Sequence, residues 1–489
     1  MTDRRRRDNM FERSTPAREG VSSSGIIRFL DEMKAGGLHM HDMMILRHGK
    51  VILESDFAPW SGKNLHMLFS LSKSFTSTAI GFAVQDGLLK LTDRLVDFFP
   101  EFLPAGPCEN MKKVTVKHLL TMNTGHQTEP RHETECWEKE FVRTYIEHEP
   151  GTHFLYNTYG TYMLSAILQK VTGKKTLAYL REKFLNPLEM SPDIWTEESP
   201  TGVATGGYGM NVRVEDIAKM GQFYLQRGRW NGQQLLNEDW IRDAQAPWSD
   251  NSASREGTSD WNQGYGYQFW MCIPEHVFRG DGAFGQYCVI CPDQDMVFAI
   301  NSGVDDMGAV LKSIWENILP SLDGETEDDG VLEERLKHTC TAADWEEKGE
   351  EALEPKPEKA WIGRYHFQKE NLLGLRELEI GETEARLRLA EGESVVPLQK
   401  DAWVPVELYT GKDEDPWGYF RKAAVRAART GEGMALHLCY ILTPFEDVLR
   451  IRFTEHGTEI RIRRNVNMGE TEFTMVGYRM TTLRNKCES

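Results

Sequence analysis

The order of apolar and polar residues predicts that the chain begins with a mixed region of helices and strands. In residues 68–87, LFSLSKSFTSTAIGFAVQDG, apolar side chains recur at helical spacing and Gly87 is a suitable C-terminal stop. The same reasoning predicts further helices at residues 117–125, 161–173, 214–228 and 305–322, two strands joined by a turn at 40–55, and a run of short strands at 265–303. Helices followed by strands indicate a sheet with helices on its faces.

The pattern changes to a period of two from Trp361 onward. ARLRLAEG (385–392) and VLRIRFTEHGTEIRIRRN (448–465) alternate apolar with charged residues, and Glu-His-Gly at 455–457 predicts a hairpin turn. Sustained alternation with few helical signals predicts an antiparallel sheet or barrel with one solvated face. We therefore expect an α+β fold with a C-terminal antiparallel β-rich domain.

Composition marks the boundary between these two regions. The acidic segments DGETEDDG, which begins at Asp323, and TAADWEEKGEEALEPKPEKA (341–360) are typical of a solvated linker with one short helix. The N-terminus, with its short arginine run, is expected to be flexible. The predicted organisation is a tail at residues 1–20, a first domain at 21–322, a linker at 323–360 and a barrel-like β-rich domain at 361–489.

Charge and apolar content narrow the possible partners and locations. The 489-residue chain carries a formal charge of −18, from 57 basic and 75 acidic residues. Such an acidic protein is a poor partner for nucleic acid or an anionic membrane, and we expect neither as a partner. No apolar run approaches the length of a bilayer span, and the N-terminus lacks the apolar segment of a secretory signal. A cytoplasmic location is expected.

The cysteines predict neither a disulfide framework nor a metal centre. Eight are scattered along the chain, and only Cys288 and Cys291 lie close together. Because no second Cys or His pair follows at zinc spacing, no metal site is expected there, and the cysteines are interpreted as reduced core residues.

Ser70 and Lys73, three residues apart in the predicted helix at 68–87, are candidates for a nucleophile and its base. Residues at this spacing share a helix face. A serine in the first turn lies beside free backbone N–H groups that can stabilise an oxyanion. A lysine can accept the hydroxyl proton once burial lowers its pKa. The alternative is that these residues are only the polar start of a buried helix.

Two downstream positions could complete such a site. Tyr156 precedes a predicted helix and could relay a proton between Ser70 and a leaving group, although a half-buried core tyrosine is the alternative. Gly282, before Ala283, lies in a glycine-rich strand and would let the backbone approach a substrate closely. The alternative there is an ordinary glycine-rich hairpin.

Several segments, in this order, resemble the serine β-lactamase and penicillin-binding-protein superfamily, in its class C-like branch of esterases, amidases and D-peptidases. The matching segments are SLSK at residues 70–73, KHLLTMNTG, FLYNTYGTYMLSAILQKVTG, GGYGMNVRVEDIAKMGQFYLQRGRWNGQQLL and FRGDGAFGQYCVICPD. The resemblance covers roughly residues 25–320. It implies an antiparallel sheet with helices on both faces plus an all-helical subregion. It also implies Ser70 as nucleophile, with Lys73 and Tyr156 as general base and acid.

The sequence departs from the family pattern at two places. The second motif, Y-x-N in the family, is Tyr156-Asn157-Thr158 here, so Thr158 takes the usual Asn position and Asn157 is a partial substitute. In the third motif Gly280 stands where the family has Lys or His, and Asp281 and Gly282 follow it. The family's cation holds a substrate carboxylate. Arg279 cannot replace it, because neighbouring residues of a strand point to opposite faces.

The resemblance implies a mechanism without metal or cofactor. The backbone N–H groups of Ser70 and Ala283 form the oxyanion hole, and Thr158, Asn157, Asp281 and Gly282 line the substrate site. The expected reaction is hydrolysis of a small ester or amide through an acyl-enzyme. A β-lactamase or D-aminopeptidase activity, and a non-catalytic binding protein that has kept the fold, are the alternatives. The acyl and leaving groups, the role of the C-terminal domain and the oligomeric state stay open.

Overall fold

Two antiparallel sheets organise the chain in its computed structural model, which describes residues 11–130, 133–324, 329–337, 356–368, 371, 374–390, 392–400, 402–410, 415–431 and 433–479. Each sheet belongs to a separate compact unit. The first unit runs as far as the Gly330–Leu336 helix, and the second holds the strands from Gly363 onward together with Phe57–Ser61 and Gly303–Asp305.

The elements follow one another in chain order. The described α-helices are α1 (Ser23–Ala35), α2 (Ser72–Gln85), α3 (Leu95–Phe98), α4 (Val116–Leu120), α5 (Trp137–Arg143), α6 (Thr158–Thr172), α7 (Thr176–Leu180), α8 (Val214–Leu225), α9 (Glu238–Ala244), α10 (Met307–Ser313) and α11 (Gly330–Leu336). The strands of the first unit are β1 (His39–Arg47), β2 (Lys50–Asp56), β3 (His66–Met67), β4 (Trp195–Thr196), β5 (Met210–Val212), β6 (Arg229–Trp230), β7 (Gln233–Gln234), β8 (Trp270–Met271), β9 (Phe278–Gly282), β10 (Gln286–Cys291) and β11 (Met296–Gly303). Those of the second are β12 (Gly363–Phe367), β13 (Glu377–Ile380), β14 (Glu384–Arg388), β15 (Glu393–Pro397), β16 (Val404–Glu407), β17 (Lys422–Thr430), β18 (Gly433–Tyr440), β19 (Glu446–Phe453), β20 (Gly457–Arg464) and β21 (Glu472–Arg479).

The central sheet of the first unit has the strand order β2-β1-β11-β10-β9-β8, and its described pairings are antiparallel. Every residue of β10 and β11 is buried, as expected for central strands covered on both faces. Helix α8 packs on β10 and β1, while α2 packs on β9 and on α6. This confirms the predicted α+β class, and it places the start of α2 next to the end of β9.

The second unit is a ten-stranded antiparallel sheet in the order β15-β14-β13-β12-β21-β20-β19-β18-β17-β16. Its two edges approach each other, because the amide of Tyr409, just after β16, donates to Ser394 Oγ of β15 at 2.8 Å. The sheet is therefore nearly barrel-shaped, as predicted. Its apolar core includes Leu436, Leu438 and Ile462, which come from alternating positions of β18 and β20.

The predicted N-terminal tail needs correction where the structure describes it. Residues 1–10 lie outside the described residues, but the amide of Ser14 donates to Val51 O at 2.9 Å and the amide of Val51 to Glu12 O at 2.9 Å. These hydrogen bonds place residues 12–14 beside β2. Glu19 is buried and holds Lys50 at 3.0 Å, so this stretch packs on the sheet.

Within the predicted linker, which was expected to hold one short helix, residues 325–328 and 338–355 lie outside the described residues. Between them α11 packs on α1, with an ion pair between Arg335 and Asp31 at 2.9 Å.

Three predicted elements end earlier than the pattern indicated. The helix at 117–125 stops at Leu120, because Met122 adopts a left-handed conformation with φ 57°. The helix at 305–322 changes after α10 into a π-helical turn and a 3₁₀ turn, and Pro320 in that turn has no N–H to continue the α-helix. In residues 265–273 only Trp270 and Met271 form a strand.

Candidate active site

Ser70 lies in a 3₁₀ turn, Phe69–Leu71, immediately before α2, which begins at Ser72. The sequence placed Ser70 inside the helix, and the structure moves it one turn earlier. Phe69 holds φ at 48°, a conformation that side chains with a Cβ rarely adopt, so the turn is sharp. Ser70 remains partly exposed while Lys73 is buried. A substrate can therefore reach the hydroxyl from solvent.

Lys73 is held against this hydroxyl by its neighbours. Its Nζ donates to Ser70 Oγ at 3.1 Å, to Gly207 O at 2.7 Å and to Thr158 Oγ1 at 3.4 Å. Burial lowers the pKa of Lys73 to about 7, although the carboxylates of Glu129 and Asp281 act in the opposite direction. A large fraction of this amine is thus neutral near pH 7 and can accept a proton.

Tyr156 lies beside the same pair of residues. Its ring stacks on Trp270, with centroids 5.1 Å apart and planes at 21°, and Lys73 Nζ lies 4.8 Å from its ring centroid. Burial raises the pKa of Tyr156, and a hydrogen bond with Ser70 acts in the opposite direction. The phenol therefore stays protonated at neutral pH. It can donate and regain a proton, but it is not an ionised base in the resting protein.

The start of α6 arranges the second predicted motif. Asn157 is the N-cap of the helix, and its Oδ1 accepts a hydrogen bond from the amide of Gly160 at 2.9 Å. This oxygen therefore caps the N-terminus of α6. Thr158 turns its hydroxyl toward Lys73, while its amide donates to Glu129 Oε1 at 2.5 Å. Of the two motif residues, Thr158 is the one in contact with Lys73. A substrate contact of Asn157 stays a prediction.

Strand β9 brings its glycines against the nucleophile turn. A Cβ at Gly282 would lie 1.9 Å from Leu68 O, and one at Gly280 would lie 2.4 Å from Ser74 Oγ. A side chain at Gly282 would meet backbone atoms, and one at Gly280 would have to displace neighbouring side chains. Gly280 therefore has a steric reason to be a glycine in this chain. The close backbone approach also puts the residue after Gly282, Ala283, next to the Ser70 turn, in agreement with an oxyanion role for both amides, which stays a prediction.

The other face of β9 carries a buried ion pair. Arg279 and Asp281 lie two residues apart on this face, and Nη2 and Oδ2 are 2.9 Å apart. Arg279 also donates to Asp260 O at 2.8 Å and lies 6.0 Å from the ring of Trp270. Asp281 is paired with this arginine and only 6 % exposed, and its negative charge raises the pKa values of Lys73 and Tyr156.

Two residues of the site were not predicted from the sequence. Gly207 supplies the carbonyl that accepts the shortest hydrogen bond of Lys73, and a Cβ there would lie 2.7 Å from Thr158 Cγ2. Glu129 joins the site from the loop after α4. The GGYG stretch at 206–209 could have pointed to the first, because paired glycines often mark close backbone contacts. No spacing signal links Glu129 to α6.

Comparison with known proteins identifies the family of the chain. The family model described as Beta-lactamase matches residues 28–319. The chain is 23 % identical over 277 residues to 6-aminohexanoate-dimer hydrolase of Paenarthrobacter ureafaciens, covering 52 % of this chain and 70 % of that protein. It is 24 % identical over 176 residues to protein flp of Staphylococcus aureus strain MW2, covering 32 % of this chain but only 35 % of that protein. The solved structure of EstCE1, described as a hydrolase with promiscuous acyltransferase activity, shares the fold with a TM-score of 0.50 at 16 % identity, over 60 % of this chain and 98 % of that one.

The fold and the family match define the class, which is that of the serine β-lactamase and penicillin-binding-protein-like hydrolases. The chain belongs to the beta-lactamase family. None of the helices in the described part of the chain is long and apolar enough to cross a membrane.

Proposed function

We propose that the protein is a serine hydrolase that cleaves a small ester or amide through an acyl-enzyme on Ser70. The observation that carries this proposal is the placement of a buried lysine, with a pKa of about 7, at 3.1 Å from a partly exposed serine hydroxyl. A buried lysine is costly unless it is used or well paired, and Lys73 is held by neutral oxygens of Ser70, Thr158 and Gly207. Such surroundings favour the neutral amine, which is the form a general base needs.

Acylation begins when neutral Lys73 takes the proton of Ser70 Oγ as the oxygen attacks the substrate carbonyl. The new C–O bond makes a tetrahedral oxyanion, which the amides of Ser70 and Ala283 stabilise. Tyr156 passes its proton to the leaving alcohol or amine and recovers one from Lys73. The carbonyl to leaving-group bond breaks, and the acyl group stays on Ser70.

Deacylation runs through the same groups in reverse. A water gives its proton to the Lys73 and Tyr156 pair while its oxygen attacks the acyl carbonyl. The proton returns to Ser70 Oγ as the ester bond breaks and the carboxylic acid leaves. The similarity to 6-aminohexanoate-dimer hydrolase supports cleavage of an amide. The fold shared with EstCE1 accommodates an acyl-transferring hydrolase, so we propose that the substrate is either an ester or an amide.

The site favours substrates without a carboxylate next to the reacting carbonyl. Gly280 supplies no cation, the charge of Arg279 is balanced by Asp281, and Glu129 adds a negative charge at the start of α6. An anionic group in this place would meet repulsion rather than a partner. Neutral esters and amides therefore fit better than penicillins or peptide C-termini.

Labelling with a fluorophosphonate tests the nucleophile directly. We expect intact-protein mass spectrometry to show one adduct on the parent, because the activated Ser70 oxygen displaces fluoride from phosphorus, and no adduct on Ser70→Ala. Ser72→Ala is the matched control, since the Ser72 hydroxyl accepts the amide of Met210 at 3.1 Å and has a structural role. Unlabelled, folded parent protein, or labelled Ser70→Ala, would contradict the proposal and favour a binding protein that has kept the fold.

The acidic neighbours of Lys73 set the pH at which it becomes a base. Glu129→Gln removes a charge that raises the pKa of Lys73, so that pKa should fall. We expect the rising limb of the kcat/KM profile near pH 7 in the parent and at lower pH in Glu129→Gln. Because Glu129 is exposed and screened, we expect a shift of about a few tenths of a pH unit, smaller at high salt.

Glu133→Gln is the control for this shift, because Glu133 lies in the same loop but is not among the charges acting on Lys73. In Glu129→Gln the side-chain oxygen can still accept the hydrogen bond from the Thr158 amide, so the start of α6 keeps its structure. A limb that moves to higher pH, or an equal shift in both variants, would contradict the assignment of Lys73 as the titrating base.

A further inference from the structure

Three side chains with metal-binding atoms converge on one face of the second unit. His437 and Cys439 lie two residues apart in β18 and therefore point to the same face. Glu446, the first residue of β19, is paired directly opposite Cys439. The strand register thus holds an imidazole, a thiol and a carboxyl group together without any loop.

The distances between their ligand atoms approach those of a tetrahedral metal site. His437 Nε2 and Glu446 Oε2 are 2.9 Å apart, and Cys439 Sγ lies 3.7 Å from that nitrogen and 3.6 Å from that oxygen. Around a zinc ion with bonds of about 2.0–2.1 Å to nitrogen and oxygen and about 2.3 Å to sulfur, tetrahedral ligands stand about 3.3–3.6 Å apart. The sulfur distances already match this geometry, and the nitrogen–oxygen pair needs to open by about 0.4 Å.

Burial and charge make a divalent cation a suitable occupant. The side chains of His437 and Glu446 are 2 % and 3 % exposed, and Cys439 is fully buried. A thiolate and a carboxylate in this place carry two negative charges, which one divalent ion neutralises while the imidazole stays neutral. The ring of Trp403 packs edge-on against the His437 ring, with the two ring centroids 5.1 Å apart, and this contact orients the imidazole.

We propose that His437, Cys439 and Glu446 bind one Zn²⁺ ion. A thiolate and an imidazole favour zinc over calcium or magnesium, which prefer oxygen ligands. Binding forms bonds to Nε2, Sγ and Oε2 and breaks the hydrogen bond between His437 and Glu446. The proton of that bond passes to Nδ1 of the neutral imidazole, and the thiol proton is released to solvent. The ion joins β18 to β19 and stabilises the second unit. This site is separate from the Ser70 chemistry, and it was not foreseen from sequence because its ligands form no paired Cys or His motif.

The test uses the full chain. A chelator first removes any bound metal, and zinc is then titrated in the presence of a chromophoric chelator that competes for it. We expect about one zinc per chain and a zinc-dependent rise in Tm, since a ligand that binds only the folded state stabilises it. Cys439→Ser and Glu446→Gln should lower zinc affinity by at least tenfold and lose the rise in Tm. Cys108→Ser, which removes a thiol from the first unit, is the matched control and should bind like the parent.

Cobalt gives a second measurement, made on the parent, that does not depend on how well Cys439→Ser and Glu446→Gln fold. Co²⁺ bound to the stripped parent should show a thiolate charge-transfer absorption band, and Cys108→Ser should show the same band. A parent that takes up no zinc, shows no change in Tm and gives no cobalt–thiolate band would overturn the proposal. The three side chains would then form only a hydrogen-bonded group.

Discussion

Replacing Lys73 with methionine is expected to lower kcat/KM for a good ester substrate by about 10²–10⁴-fold while leaving the protein folded. Methionine fills a similar volume but cannot take the proton of Ser70, which lies 3.1 Å from Nζ. Steady-state kinetics and the rate of fluorophosphonate labelling should fall together, because both require the activated oxygen. Circular dichroism and Tm report whether the fold is kept.

Lys73→Arg separates the role of the base from that of the positive charge. A guanidinium stays protonated at all accessible pH values, so this variant keeps a cation near Ser70 but has no base. We expect it to be as inactive as Lys73→Met. If Lys73→Arg kept activity close to that of the parent, the lysine would act by its charge alone and the proposed mechanism would be wrong.

The same lysine predicts how stability depends on pH. Its pKa falls from 10.5 in the unfolded reference to about 7 in the folded protein, so between these values the unfolded state binds more protons. The free energy of unfolding of the parent should therefore rise with pH from about 7 to about 10, relative to Lys73→Met. Denaturant unfolding of both proteins across this range measures the difference. A parallel pH dependence in the two proteins would contradict the lowered pKa.

The fold was largely readable from the sequence where the patterns are strong. The hairpin of β1 and β2, the helices α2 and α6, and the alternating strands β19 and β20 follow directly from spacing and turn residues. Element ends were less readable, because they depend on single conformations such as the left-handed Met122 that stops α4. The pairing of residues 12–14 with β2 was missed since it depends on tertiary contacts that leave no periodicity in a short segment.

The site was readable only in part, for a related reason. Ser70, Lys73 and Tyr156 stand out by residue type and order, and the structure brings them together. The groups that position them act through backbone atoms or single charges. Gly207 holds Lys73 with a carbonyl that every residue possesses, and Glu129 is one of many acidic residues in the chain. Neither kind of contact changes the spacing of residue types, so only the folded arrangement reveals it.

Gly282→Ala is expected to have the second largest effect on catalysis. The added Cβ would lie 1.9 Å from Leu68 O and 3.2 Å from the amide nitrogen of Leu71, both backbone atoms that cannot rotate away. The end of β9 must therefore move from the Ser70 turn, and the amide of Ala283 moves with it. Loss of one oxyanion donor costs about 10²–10³-fold in kcat, so we expect a fall of that size, with a loss of stability of about 1–3 kcal/mol.

Gly280→Ala is the matched control, because it adds the same methyl group to the same face of the same strand. Its Cβ would meet Ser74 Oγ at 2.4 Å and Leu71 Cδ1 at 2.6 Å, which are side-chain atoms, so the strain falls on packing and on the hydrogen bond from Ser74 to Gln268 O rather than on the backbone of the Ser70 turn. We therefore expect it to lose stability but to keep most of its kcat, and Gly280→Ala combined with Ser74→Ala to regain part of that stability. Denaturant unfolding and kcat for one ester substrate compare the variants. If Gly280→Ala and Gly282→Ala lost kcat equally, the damage would come from strand packing in general, and the amide after Gly282 would have no special part in stabilising the oxyanion.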